Sequence, residues 1–174
     1  TEVNPIVIIG NTSNPRTVVI TSYIPSSHSR LYGAKINGLT FSNVKHAMIA
    51  DCYISATVDM QDADSSSIRR CTIVSDHFRI ARNVTGGTVA DADTLEGNTF
   101  TALSASGQMA LQFGDTAGGV GDAGSDSCRY FVQRFNTFAI SQSGTSPNTV
   151  AKHFLTPNFY SYGNRYVLTS TTTA

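Results

Sequence analysis

The sequence predicts an all-β protein, and its repeats favour a parallel β-helix within that class. No stretch of ten or more residues has a strong helical period, which argues against the helical classes. A short sequence frame recurs along the chain and ends each time in a short strand. Such repeats are typical of a chain that stacks on itself. A β-sandwich is the alternative fold, since short alternating strands suit it as well.

The frame has an aliphatic residue, two small or polar residues, one ladder residue, one outward residue and a closing large apolar residue. Its copies and shorter echoes are 36–41, 49–54, 68–73, 95–100, 136–138 and 164–166. Residues two apart share a face of a strand, so Cys52 points the same way as Ile54. Stacked about 4.8 Å apart, equivalent residues would form internal columns in which Cys71 covers Cys52. Asn98 suits such a column because an amide can donate to one neighbour and accept from the other.

The spacing of the frames limits which copies can share a column. Phe41 and Ile54, which close the first two copies, are 13 residues apart. A coil with three sides of about 17 Å has a perimeter of about 50 Å, whereas 13 residues span at most roughly 45 Å. We therefore expect these two side chains on different sides of one coil.

The individual strands follow from alternation and from β-branched content. Turn residues at 10–15 and 25–29 separate the first segments, and the polar run 61–67 is expected on the surface. The predicted strand segments, in order, are 6–9, 17–21, 31–42, 44–49, 52–54, 68–74, 77–82, 95–103, 109–113 and 130–140.

Length and charge narrow the function classes. The 174 residues predict one domain, 1–174, and the zero net charge argues against nucleic acid as a partner. No apolar run reaches the roughly 20 residues that span a bilayer, so no membrane insertion is expected. The apolar start after Pro5 lacks the polar cap that an open sheet edge needs, so we expect a longer polypeptide upstream or a covering partner chain. Three cysteines are an odd number, which argues against a full disulfide framework and favours folding in a reducing compartment. Cys52 and Cys71 are expected as buried free thiols, with a bridge between them as the alternative.

The frames quoted above resemble those of the right-handed β-helix proteins, which include bacteriophage tailspikes and the pectate-lyase-like and polygalacturonase-like carbohydrate-active proteins. The resemblance covers residues 31–101 well, and the Ser- and Thr-rich composition without Trp looks most like a phage virion component. It implies a right-handed helix, a homotrimer on a phage tail, contacts with other virion proteins, recognition of a bacterial surface polysaccharide and synthesis in the host cytoplasm. A capsid decoration or cement protein is the alternative among structural proteins.

A glycan-cleaving tailspike is the alternative among enzymes, and its candidate catalytic carboxylates are Asp62 and Asp64. Glycoside hydrolysis needs two carboxyl groups roughly 5 to 9.5 Å apart, and residues two apart on a strand lie about 7 Å from each other. Asp in a Ser-rich turn more often caps backbone amides. The Gly-His-Gly turn of polygalacturonases is absent from the sequence. We therefore expect binding rather than catalysis from this chain.

The candidate binding residues are Tyr160 and Tyr162. Sugars stack on flat rings, and alternation puts both tyrosines on one face of a strand. For this cluster the residue types favour packing against a neighbouring subunit over glycan binding. Tyr166 matches the closing core position of the frame. No cofactor and no metal are expected, because the His residues lack a Cys or carboxylate partner at ligand spacing.

Overall fold

The computed structural model describes residues 6–55, 57–75, 78–81, 90–104, 111–113, 128–142, 151–153 and 158–170. Every regular element in these ranges is a β-strand, and the strands pair in parallel. The prediction of an all-β class is confirmed. In the same ranges no helix is long and apolar enough to cross a membrane.

Most of these strands are short, because turn residues interrupt the apolar alternation every few positions. In chain order they are β1 (Val7–Ile9), β2 (Val19–Ile20), β3 (Arg30–Tyr32), β4 (Lys35–Ile36), β5 (Leu39–Lys45), β6 (Met48–Ala50), β7 (Tyr53–Ile54), β8 (Val58–Asp64), β9 (Ser67–Arg69), β10 (Thr72–Val74), β11 (Phe78–Ala81), β12 (Ala90–Asp91), β13 (Thr94–Glu96), β14 (Thr99–Ser104), β15 (Leu111–Phe113), β16 (Cys128–Arg129), β17 (Val132–Arg134), β18 (Thr137–Gln142), β19 (Ala151–His153), β20 (Tyr160–Tyr162) and β21 (Arg165–Ser170).

The strands form three parallel sheets that the chain visits in a recurring order. Sheet A runs β1-β3-β6-β9-β13-β17-β20, and sheet B runs β2-β4-β7-β10-β14-β18-β21. Sheet C runs β16-β12-β8-β11-β15-β19, with β5 also paired to β8. From β3 onward the chain passes from sheet A to sheet B to sheet C and back. Segments that are distant in sequence are therefore neighbours in every sheet.

Equivalent residues of successive strands lie in register and form buried columns. In sheet B this column consists of Ile36, Ile54, Ile73, Phe100 and Phe138, and Tyr166, which is 46% exposed, continues it on the last strand. In sheet A it consists of Leu31, Ile49, Ile68, Leu95 and Gln133. Because residues on either side of each column member point outward, the core is built from every second position of these strands.

The sheet B column becomes aromatic toward its last strands. Phe100 and Phe138 stack with ring centroids 4.7 Å apart, and Phe138 stacks on Tyr166 at 5.1 Å. Phe78 of sheet C meets Phe100 edge-on at 5.1 Å. Such pairs contribute roughly 0.5 to 1.5 kcal/mol beyond area burial. This aromatic stack therefore fastens sheet B to sheet C.

The chain turns from sheet A into sheet B through a single residue in the left-handed region. The residues at these turns are Gly33, Asp51, Arg70, Gly97, Phe135 and Gly163, with φ values from 51° to 65°. At Gly33 a Cβ would lie 2.5 Å from the backbone nitrogen of Thr12, so that turn requires glycine. At the next two turns Asp51 and Arg70 form a bidentate ion pair with two contacts of 2.8 Å.

From the Asp51 turn onward, the residue after each turn belongs to a polar ladder, which consists of Cys52, Cys71, Asn98, Asn136 and Asn164. The backbone N–H of Cys52 donates to Cys71 Sγ at 3.4 Å, and that of Cys71 donates to Asn98 Oδ1 at 2.9 Å. The Asn98 and Asn136 N–H groups continue the ladder with bonds of 2.9 Å. The predictions that Cys71 covers Cys52 and that an Asn column follows are confirmed, and both thiols are free.

One copy of the frame is out of register with the others. The segment 31–36, rather than 36–41, pairs with 49–54. Phe41 lies in sheet C beside Met60, whereas Ile54 lies in sheet B. The two side chains thus occupy different sheets, as the chain-length limit predicts.

Candidate functional site

Tyr160 and Tyr162 lie in β20, the last strand of sheet A among the described residues. Their side chains are 53% and 47% exposed. Register pairs them with Val132 and Arg134 of β17, on the outer face of the sheet. The structure therefore presents both rings side by side to solvent, which is the placement that stacking against a sugar requires.

A charged column leads to Tyr162 along the same outer face, and we call it the Arg–Glu–Tyr column. It consists of Arg69, Glu96, Arg134 and Tyr162, which are in register on four successive strands. Glu96 binds Arg134 at 3.0 Å and Arg69 at 3.5 Å. Arg134 Nη1 donates to the hydroxyl of Tyr162 at 3.0 Å. The hydroxyl is thereby held at a fixed point beside the Arg134 guanidinium.

Hydrogen bonds within this column favour the charged form of Arg134. The bond with Tyr162 and then the bond with Glu96 raise the pKa of Arg134 further above its ordinary value. A guanidinium is charged at every physiological pH in any case. Because exposed ion pairs contribute at most about 1 kcal/mol to stability, the column serves position more than folding.

An exposed aromatic turn flanks Tyr162. Phe135 meets the Tyr162 ring edge-on, with centroids 5.6 Å apart, and is 58% exposed. A Cβ on Gly163 would lie 2.6 Å from Phe135 Cδ1, and Gly163 has a φ of 65°. Glycine is therefore required for the Phe135 ring to lie over this turn.

The interior behind β20 is polar, unlike the rest of the sheet A column. Gln133 takes the position that Leu95 occupies one strand earlier, and it is fully buried. Its Nε2 donates to the hydroxyl of Tyr166 and, at 3.4 Å, to Ser161 Oγ. Asn164 Nδ2 also donates to Ser161 Oγ, at 3.1 Å. These bonds connect sheets A and B directly beneath the exposed tyrosines and hold β20 in place.

The candidate catalytic carboxylates lie in sheet C, away from the tyrosines. Both Asp62 and Asp64 belong to β8. The expectation of a surface break over 61–67 is therefore wrong, because β8 continues to Asp64 beside β5 and Ala63 is buried. Asp64 is bound to Lys45 at 3.4 Å and accepts from Ser65 Oγ at 2.9 Å. The side chain of Asp62 lies outside the part of the chain that the structure describes. Asp64 is thus engaged in local bonds.

Other groups with metal-binding chemistry are few in the described part of the chain. His28 and His46 lie on neighbouring turns with ring centroids 4.9 Å apart. Nowhere in the described ranges do three or more His, Cys, Asp or Glu side chains come together as metal ligands would.

Sequence reasoning missed that Arg69 and Arg134 share a column with Tyr162, although the frame contains the signal. Aligning the frames already places Glu96 in the same outward position as Arg69. The two echoes extend that position to Arg134 and Tyr162, each of which precedes its ladder Asn by two residues. The register of β9, β13, β17 and β20 is the one that this alignment gives.

The fold and this face together define an all-β protein of parallel sheets with a charged and aromatic outer surface on sheet A. Comparison with known proteins adds no relative: no protein-family model, no curated protein and no solved structure gives a significant match to the chain.

Proposed function

We propose that the chain is a right-handed parallel β-helix of a bacteriophage tail and that it contributes to recognition of a host-surface polysaccharide. The recurring passage through sheets A, B and C supports the β-helix, because each complete passage would be one coil. The parallel pairing supports it over a β-sandwich, whose sheets are antiparallel. Right-handed crossover is the rule for parallel strands in one sheet.

The observation that carries the binding function is the outer face of sheet A. Two half-exposed tyrosines, Tyr160 and Tyr162, lie next to fixed hydrogen-bonding groups of Arg134 and Glu96. An aromatic ring that offers an apolar face, combined with a few placed polar groups, is the usual composition of a ligand site. The alternating strand holds these groups on a rigid scaffold.

A partner chain is part of the proposal. The first segments of the chain expose aliphatic side chains, including Val7 at 48% and Ile9 at 72% in β1 and Val19 at 56% in β2. Several exposed aliphatic side chains of this kind favour coverage by another chain. A homotrimer on the phage tail, together with other virion proteins, supplies that coverage. The same aliphatic strands favour a capsid decoration protein as the second candidate, seated on the capsid through this surface.

Catalysis is the less supported function. Asp64 is engaged with Lys45 and Ser65 rather than placed beside a second described carboxylate, as glycoside hydrolysis requires. Incubation with capsular or O-antigen polysaccharide, followed by measurement of new reducing ends and unsaturated uronate, tests the enzyme. Release of such ends would replace the binding function by the glycan-cleaving one.

The binding function is tested by titrating the purified chain with capsular and O-antigen polysaccharides and comparing Tyr160→Ala with Tyr53→Ala. Tyr53 is a matched control because it lies on the outer face of sheet B, where the Arg16 guanidinium covers its ring at 4.0 Å. Binding that is lost only in Tyr160→Ala supports the proposal. No binding to any polymer, or equal loss in both variants, contradicts it.

Assembly and location have their own measurements. Light scattering is expected to give three times the chain mass of 18.6 kDa. A monomer at high concentration would contradict the trimer. Antibody labelling in electron micrographs of virions distinguishes the tail from the capsid.

A further inference from the structure

We infer that the outer face of sheet A takes an acidic polysaccharide, that Arg69 binds its carboxylates and that Arg134 orients Tyr162. This inference rests on the proposed glycan-binding function and names its substrate class. It starts from the charges of the face, which differ from those of the whole chain. The chain has zero net charge, yet the strands of sheet A carry three guanidinium groups and one carboxylate. These four charged residues are Arg30, Arg69, Glu96 and Arg134.

Among the described residues, the ion pairs at this face leave positive charge in excess. Glu96 is shared between Arg69 and Arg134, which leaves that cluster one positive charge in excess. At the adjoining turn Arg70 and Asp51 neutralise each other through their bidentate pair. An anionic ligand is the group that would complete the charge balance of the cluster.

Arg69 has Nη donors to spare for such a ligand, whereas its Nε is buried. Its only ion pair in the described part of the chain is the 3.5 Å contact with Glu96, and its side chain is 37% exposed. Arg134 already donates to Glu96 and Tyr162 and is 34% exposed. Arg binds carboxylates through two parallel N–H groups, so Arg69 offers the stronger contact and Arg134 orients the tyrosine.

The spacing suits a polymer rather than a single anion. Arg69 and Arg134 are two strands apart, which is about 10 Å along the stack of strands. Tyr160 and Tyr162 lie one strand further on the same face. A linear glycan along the stack would meet the two guanidinium groups and the two rings in turn.

Sheet B supplies a contrast on the same molecule. Its strands carry the cations Lys35 and Arg165, but these lie five strands apart, or about 24 Å. They do not form a cluster. Arg165 is exposed and therefore serves as the matched control for removal of one positive charge.

The test uses the full chain and three acidic polymers, polygalacturonate, hyaluronate and polysialate, each paired with its carboxyl-reduced form. We expect at least one acidic polymer to bind about tenfold more tightly than its reduced form at about 50 mM NaCl, and to lose that advantage at about 500 mM. Arg69→Gln is expected to lower acidic-polymer affinity about fivefold or more without changing the reduced polymer, whereas Arg165→Gln changes neither.

The outcomes separate this inference from the function on which it rests. Equal affinity for an acidic polymer and its reduced form, with loss of both in Tyr160→Ala, overturns the acidic specificity and keeps glycan binding. No binding to any polymer overturns both. An equal loss of acidic-polymer affinity in Arg69→Gln and Arg165→Gln would show that only the overall charge matters. That result also overturns the assignment of Arg69 as the carboxylate-binding residue. Arg134→Lys keeps the charge but not the planar fork that holds the Tyr162 hydroxyl, so it is expected to weaken binding of the acidic polymer and of its reduced form alike.

Discussion

Replacing Asn136 by Ala tests the polar ladder at its centre. The Asn136 side chain takes part in four hydrogen bonds. Its Oδ1 accepts from the backbone N–H of Asn98 at 2.9 Å and from Asn98 Nδ2 at 3.0 Å. Its Nδ2 donates to the carbonyl of Leu95 at 3.1 Å and to Asn164 Oδ1 at 3.0 Å. The residue is 1% exposed, so water does not readily replace these partners.

The loss of stability in Asn136→Ala depends on which hydrogen bonds each former partner of the Asn136 side chain keeps. Asn98 Nδ2 retains the Ile68 carbonyl at 2.9 Å, and Asn164 Oδ1 retains the Asn136 backbone N–H at 2.9 Å. The Asn98 N–H is left without its acceptor, which costs roughly 1 to 3 kcal/mol, and each other lost bond adds roughly 0.5 to 1.5 kcal/mol. We expect Asn136→Ala to lower the free energy of unfolding by about 3 to 5 kcal/mol. The melting temperature should fall by roughly 10 °C.

Urea unfolding followed by circular dichroism measures this change. Asn37→Ala is the control, because Asn37 is exposed and should change stability by less than about 0.5 kcal/mol. Asn136→Asp keeps the acceptor oxygen but loses both donors, so it should cost as much as Asn136→Ala or more. A loss below about 1 kcal/mol in Asn136→Ala would show that the ladder bonds do not hold the strands together.

Three further predictions concern the columns. Cys71→Asn should keep or raise the free energy of unfolding, by up to about 1 kcal/mol, because an amide oxygen accepts from the Cys52 N–H better than sulfur does. Cys71→Ala should lower it by about 1 kcal/mol. Urea unfolding measures both variants, and a destabilising Cys71→Asn would contradict the shared ladder geometry. Phe138→Ala should cost about 3 to 5 kcal/mol in the same assay, since its ring is buried between Phe100 and Tyr166, and a cost under 1 kcal/mol would refute that packing. Burial raises the pKa of the Cys71 thiol, so at pH 8.5 it stays protonated in the folded protein and should resist iodoacetamide until urea unfolds the chain; rapid native labelling, read by mass spectrometry, would contradict its burial.

The sequence identifies the columns because the repeat frame carries the same physical constraint at each copy. A position that faces the core must be apolar, and a ladder position must satisfy its own hydrogen bonds, so Ile54 recurs as Ile73 and Asn98 recurs as Asn136. The outward position of Glu96 beside Arg69 follows from the same alignment. Register of this kind is readable without coordinates.

Other features do not follow from local pattern. The frame at 36–41 resembles the other copies in sequence but lies partly in sheet C. Phe41 and Ile54 are only 13 residues apart, which is too few for a full passage through the three sheets, so they lie in different sheets. The strand that ends at Asp64 is polar in sequence and forms because β5 pairs with it along its whole length. Buried Gln133 is likewise fixed by a distant hydroxyl, that of Tyr166. Each of these depends on a partner that local sequence does not reveal.

The most direct test of the stacked arrangement is a series of spin-label distances along sheet B. Labels are placed at Lys35 and, in turn, at Thr99, Thr137 and Arg165, in a Cys128→Ser background. These outward positions are three, four and five strands from Lys35, so we expect mean distances to rise by about 4.8 Å per step. That equal increment should appear although the labelled residues are unevenly spaced in sequence. Mean distances whose steps scale with the number of residues between labels, or that decrease from one site to the next, would contradict parallel stacking in register.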